Sequence, residues 1–301
     1  MRSYRFIHVF FLLFLLAENV CAAQPPPLET REVRIFFENG IRPAAEETAD
    51  IFPLVKKDLE HKLGWTVNFK PTVLLMKEGA AFRKWVDTDL IVAAAFPQKN
   101  LIVIDYSRMK THPFTIDITL KHELCHLLLH HVIGSRNLPR WLDEGIAQWV
   151  SGGFSELITN TKSNMLPGAV LSGRMIDIRN LAGGFPTDRQ SLFLAYEESK
   201  SFVEYLISEF GIAGLRSLLE NLREGFAWPE AMERSFSMSL DDCLRAWRSQ
   251  LEKRITWFIY LSHHLYEVLF FIAALVMIYG FIKAYKKKRA YIDDAGPADL
   301  E

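Results

Sequence analysis

His122-Glu123-Leu124-Cys125-His126 places two imidazoles and a carboxylate within five consecutive residues. On a helix, positions i and i+4 share a face, so His122 and His126 can grip one cation from a single turn. Glu123 stands about 100° round that helix, where its carboxylate reaches a water on the cation without binding the cation itself. This is the H-E-x-x-H arrangement of a catalytic zinc: the ion lowers the pKa of its water to roughly 7 and the glutamate takes the proton. Such a zinc needs a third protein ligand, and Glu144, within Trp141-Leu142-Asp143-Glu144-Gly145, is the candidate. Two histidines and one glutamate leave the fourth tetrahedral position open for water or substrate. One Zn2+ ion is therefore the expected cofactor.

Two helices must bring these groups together. Residues 119–132 carry apolar positions at Leu124, Leu127, Leu128 and Val132, with Gly134 as a stop. A second helix is expected to begin near Pro139, a residue favoured at the first helical position, and to end near Gly152-Gly153. Helices joined by a short loop pack side by side, which turns Glu144 toward the histidines. Asp143 reads either as the group that orients a zinc-bound histidine through its other ring nitrogen or as surface charge. His130, one turn beyond His126, reads as a rim or solvent-facing histidine rather than a supporting one. Cys125 is expected as a small buried thiol beneath the site, not a ligand.

The run Leu138-Pro139-Arg140-Trp141-Leu142-Asp143-Glu144-Gly145-Ile146-Ala147-Gln148-Trp149, after the H-E-x-x-H helix, resembles the peptidase MA-like domain of the gluzincin zinc peptidases. Further stretches similar to that family are Ala195-Tyr196-Glu197-Glu198-Ser199, Tyr205-Leu206, Phe210-Gly211 and residues 244–247, so the resemblance covers about residues 90–250. It implies an α+β, thermolysin-like (zincin-like) fold, with a small mixed sheet over the zinc helix and a mostly helical C-terminal half. It implies metal-dependent hydrolysis of peptide bonds in a polypeptide substrate. Tyr196 matches a family tyrosine and becomes the candidate hydrogen-bond donor to the oxyanion, a buried packing tyrosine being the alternative. The strand before the zinc helix, Leu101-Ile102-Val103-Ile104-Asp105, is expected at the sheet edge, where a peptide adds as a further strand. A metzincin is disfavoured because Leu129 and Val132 stand where its glycine and third histidine belong. No G-x-M-x-N block is present, which points away from aminopeptidase action and toward an endopeptidase.

The two ends indicate where this chemistry takes place. Residues 6–17 are apolar after Arg2 and Arg5, and Cys21-Ala22-Ala23 offers small residues for cleavage, so residues 1–23 read as a signal peptide, an uncleaved anchor being the alternative. Residues 24–30, with Pro25-Pro26-Pro27, read as an extended linker. Near the other end, residues 265–282 hold one charge, Glu267; at 1.5 Å per residue they span about 27 Å, enough for one transmembrane helix. Lys283, Lys286, Lys287, Lys288 and Arg289 follow, which by the positive-inside rule makes residues 283–301 a cytoplasmic tail. The expected setting is a cell inner membrane crossed once, with the zinc domain periplasmic, the lipid bilayer being a partner through the C-terminal helix. The net charge of -1 says little about partners, and no basic patch elsewhere suggests nucleic acid, so no nucleic-acid partner is expected.

Ahead of the zinc helix the pattern alternates. Residues 31–37 are strand-like, 44–63 an amphipathic helix stopped by Gly64, 65–76 strand-like with a break at Pro71, and 80–86 a short helix. Two apolar runs, 90–96 and 101–105, flank the turn Pro97-Gln98-Lys99-Asn100. This gives an α+β subdomain over 31–115 and a helical zinc-binding subdomain over 116–254, with later helices at 215–222, 228–236 and 240–261, the last capped by Ser239. Cys125 and Cys243 remain after signal removal, and a disulfide between them is neither required nor excluded. Two functions fit: a membrane-anchored zinc metallopeptidase with Glu123 as general base, or a silent binding or assembly protein on a peptidase scaffold.

Overall fold

A computed structural model of the chain describes residues 25–86, 90–109, 114–152 and 165–294. The signal peptide expected over 1–23 and the end of the expected tail, 295–301, lie outside them. The chain groups into two compact units, one running to Cys243 and the other from Leu244. Both expected subdomains fall within the first unit as far as Cys243. The fold is α+β and mostly helical, with a small mixed sheet.

Five strands form the sheet: β1 (Leu28–Glu29), β2 (Arg34–Phe37), β3 (Thr72–Met76), β4 (Ala93–Phe96) and β5 (Leu101–Asp105), in the order β1-β2-β3-β5-β4. β2, β3 and β5 run parallel, while β1 and β4 are antiparallel to their neighbours. Leu28–Glu29, read from sequence as linker, pairs with β2 instead. Alternation is clean in β2, where Ile35 and Phe37 are buried and Arg34 and Phe36 are not. β5 is buried on both faces. Ile102 and Ile104 belong to one side, whereas Val103 packs with Met76 and Phe82 on the other.

That burial corrects the expectation for Leu101–Asp105. β5 lies between β3 and β4 and carries a ladder on each side, so it has no edge to offer a peptide. The edge strand is β4, folded back from β5 through a 3-10 turn at Pro97–Lys99 and Asn100 in the left-handed region (φ 47°). Among the described residues no strand pairs with the outer side of β4.

The helices follow the sequence punctuation. α1 (Arg42–Leu63) ends at Gly64, whose φ of 77° is the left-handed cap that glycine adopts without a Cβ penalty. After the short α2 (Gly79–Phe82) come α3 (Ile116–Val132) and α4 (Arg140–Ser151), the two helices expected to carry the metal ligands. Pro139 is the N-cap of α4 rather than its first helical residue, and Gly152 closes it. α5 (Met165–Ser172) precedes α6 (Arg189–Arg223), a long helix capped by Asp188 and broken internally at Gly211. α7 (Trp228–Phe236) spans the expected residues. α3 is the central element, packed against α1, α4, β4 and β5, and α4 is held in turn against α6.

α8 (Leu240–Asp294) starts where Ser239 Oγ accepts a hydrogen bond from the Asp242 amide at 3.2 Å. In the second unit, Leu265–Lys288 is long and apolar enough to cross a membrane, and large apolar side chains such as Phe270, Phe271, Val276 and Phe281 are exposed along it.

Candidate metal centre

α3 is unusual for a helix bearing so many polar groups. Its burial runs nearly all the way round, and Leu120, Leu124, Leu127, Leu128 and Leu129 are interior alongside His122, Glu123 and His126. α4 adds two more interior carboxylates, Asp143 and Glu144, the latter with no exposed surface. Placing five ionisable side chains in a core is costly unless they pair with each other or with a metal. Such clusters mark functional sites.

The atoms converge. His122 Nε2 and His126 Nε2 lie 3.1 Å apart, and Glu144 Oε2 is 3.6 Å from each. A tetrahedral zinc with ligands at about 2.05 Å has edges of about 3.3 Å between them, so this triangle matches a zinc coordination face within a few tenths of an ångström. Glu144 Oε2 is buried and accepts no hydrogen bond, which suits an oxygen reserved for a cation. The donor set fits zinc: two imidazole nitrogens and one carboxylate oxygen. Glu144 Oε1, by contrast, is held by the protein. It pairs with the Arg140 guanidinium one turn earlier, and the Tyr196 hydroxyl donates to it at 3.5 Å. The two oxygens of Glu144 therefore have different duties.

Asp143 sits behind the histidines and is no surface charge. Its Oδ1 accepts from His126 Nδ1 at 2.6 Å and its Oδ2 from His130 Nε2 at 2.9 Å. A carboxylate can only accept, so the His126 proton resides on Nδ1 and its Nε2 lone pair is left for a metal. Burial alone would raise the pKa of Asp143, but the electrostatic pull of the His126 ring and the hydrogen bonds from both imidazoles outweigh it and hold the carboxyl below the usual range. His130 also meets Ser135 Oγ at 2.8 Å through Nδ1. Sequence reasoning placed it at a rim and assigned Arg140 no role; its i+4 spacing from His126 was the available signal for His130.

Close helix packing makes the arrangement possible. Gly145 lets α6 approach so near that a Cβ there would lie 2.5 Å from the Ser199 carbonyl oxygen. Gln148 Nε2 donates to the Tyr196 carbonyl at 3.2 Å, tying α4 to α6 where the tyrosine projects. Tyr196 is buried, and Phe185 packs edge-on against its ring at 5.0 Å. Trp141 is fully buried against Phe202 and Trp228. Cys125 is buried on α3 with a free thiol, and Cys243 is free too, so no disulfide joins them.

The sequence model of the Peptidase MA superfamily matches residues 85–253, more than half of the chain. No curated protein matches. Among solved structures, native yeast LTA4 hydrolase is similar at 14% identity over 72% of this chain and 38% of that one, with a TM-score of 0.44. An M1 zinc metallopeptidase from Deinococcus radiodurans, a mutant bound to a Tyr-Ser-Ala substrate, shares 13% identity over 75% of this chain and 50% of its own, with a TM-score of 0.39. The chain thus spans less than two thirds of either.

Proposed function

The chain belongs to the Peptidase MA superfamily, and on that footing we propose that it is a membrane-anchored zinc metallopeptidase of gluzincin type. The observation that carries this reading is the meeting of His122 Nε2, His126 Nε2 and Glu144 Oε2 in one buried triangle of zinc dimensions. A zinc ion held there supplies Lewis-acid polarisation of the scissile carbonyl and makes a water acidic enough to react near neutral pH.

The remaining steps belong to the protein's own side chains. Glu123 is the general base: it takes a proton as the water oxygen adds to the carbonyl carbon, then delivers that proton to the amide nitrogen as the C–N bond breaks. Tyr196, already within reach of Glu144, is the donor to the developing oxyanion, a contribution of about 2–4 kcal/mol where such donors have been removed. The outer side of β4, which no strand pairs among the described residues, takes the extended polypeptide substrate as an added strand, a role that the family resemblance gave to β5. The apolar stretch of α8, followed by Lys283, Lys286, Lys287 and Lys288, anchors the chain with its C-terminus cytoplasmic and its zinc domain periplasmic.

The test uses the full chain in detergent, with bound zinc quantified and peptide cleavage assayed beside Glu123→Gln. One zinc per chain in both forms, with cleavage only in the wild type, is the expected result. Zinc in both with cleavage in neither assigns the chain to the scaffold reading.

A further inference from the structure

We propose that His130 is a positioning residue for the metal centre, acting through Asp143; this rests on the metal-site reading given above. His126 and His130 are one turn apart on α3, and Asp143 of α4 bridges them with one carboxylate oxygen each. A carboxylate tied at a single oxygen turns about its last torsion, which is broad and nearly two-fold. With both oxygens engaged, at 2.6 and 2.9 Å, the carboxylate plane is fixed, and with it the direction of the His126 Nδ1–H. That direction sets where the opposite nitrogen, Nε2, presents its lone pair to His122 and Glu144.

Arg140 also approaches Asp143 Oδ2, at a looser 3.7 Å. Without the His130 imidazole, a carboxylate oxygen in a core position would lose its close donor. The carboxylate would then turn toward Arg140 and away from His126. Ser135, by accepting or donating at His130 Nδ1, holds the imidazole at its far side. The result is a hydrogen-bonded chain, His126–Asp143–His130–Ser135, running from the ligand triangle to an exposed serine.

The experiment measures zinc affinity by chelator competition for the full chain, His130→Ala and His130→Gln, together with the cobalt(II) absorption spectrum and metal-free melting curves. Glutamine retains an N–H donor toward Asp143 and alanine does not. His130→Ala is expected to bind zinc about tenfold more weakly, the low end of what lost outer partners cost, with an altered cobalt spectrum. His130→Gln is expected to recover most of the affinity. Equal affinity in wild type and His130→Ala overturns the proposal. So does equal weakening in both variants accompanied by equal loss of metal-free stability, which would mark a purely structural residue. Absence of zinc binding by the wild type would overturn the metal-site reading itself, and this inference with it.

Discussion

Gly145→Ala separates local propensity from tertiary geometry, because the two predict opposite signs. In a helix interior, alanine is favoured over glycine by about 1 kcal/mol. Against this, the added Cβ would lie 2.5 Å from the Ser199 carbonyl oxygen and 2.7 Å from Val203 Cγ2. The first contact is roughly 0.8 Å short of the closest ordinary C···O approach. The obstructing atom is backbone inside α6, so no rotamer change relieves it. Overpacking costs about 1–3 kcal/mol, and a clash with backbone belongs in the upper half of that range, about 2–3 kcal/mol, so offsetting the helix gain leaves a net loss of about 1–2 kcal/mol. For a unit of this size that is a fall in melting temperature of roughly 2–8 °C. α4 also packs against α3, and Glu144 is the neighbouring residue, so a retreat of α4 from α6 shifts Glu144 and zinc affinity should fall as well. Denaturant titration in detergent, with and without zinc, reads both effects. A metal-free stability equal to or above the wild type would refute the close packing of α4 on α6.

Other perturbations probe separate parts of the structure. Tyr196→Phe should lower kcat by about 10²–10³ with zinc affinity nearly unchanged if its hydroxyl serves the oxyanion; a fall in zinc affinity with normal turnover per zinc would assign it to holding Glu144. Burial pushes the Cys125 thiol up and raises that of Cys243 to about 12, so both should resist iodoacetamide at pH 8 until the chain unfolds, as peptide mass mapping would show. Asp58 on α1 accepts a 2.7 Å hydrogen bond from Lys121 of α3, and that bond with the lysine's charge outweighs partial burial and depresses its pKa below the usual 3.8. Its stabilisation is present above 3.8 and lost as pH falls through the depressed value. The stability gap between wild type and Lys121→Met should thus be flat near neutrality and close in acid; a gap that persists at the lowest pH would show that packing of the lysine stem, not charge, is the source.

What was legible in the sequence follows from how local each cause is. Gly64 and Gly152 mark the helix ends where a left-handed residue is needed, and the i, i+4 histidines needed only helix geometry to be paired. Sheet order was not legible. The run from Leu101 to Asp105 is apolar because both faces of β5 are covered, and nothing in those residues distinguishes a central strand from an edge one. Asp143 and His130 were ambiguous for a related reason: a charged residue on an amphipathic helix is exposed or interior according to which neighbour covers it. Arg140 went unread because its pairing with Glu144 matters only once the other oxygen of Glu144 is known to face the histidines.

The Trp141–Gly145 block gains a physical explanation from the same geometry. At about 100° per residue, positions 141 and 145 fall within roughly 40° of each other, while 143 points about 160° away from both and 144 lies on the flank, about 100° from 143 and from 145. Trp141 accordingly packs on Phe202, and Gly145 abuts Ser199 and Val203, all contacts with α6. Asp143 and Glu144 turn to α3, one to the outer nitrogen of His126 and the other to the inner nitrogens of His122 and His126. The tryptophan and the glycine thus fix the distance and rotation of α4, and the two acids make use of that placement. Loss of the metal site should therefore follow from damage on either face, by coordination on one and by displacement on the other. Trp141→Ala, expected to cost about 3–5 kcal/mol from lost burial and the cavity left behind, should weaken zinc binding without touching a proposed ligand; unchanged zinc affinity in a destabilised but folded Trp141→Ala chain would show that the two faces act independently.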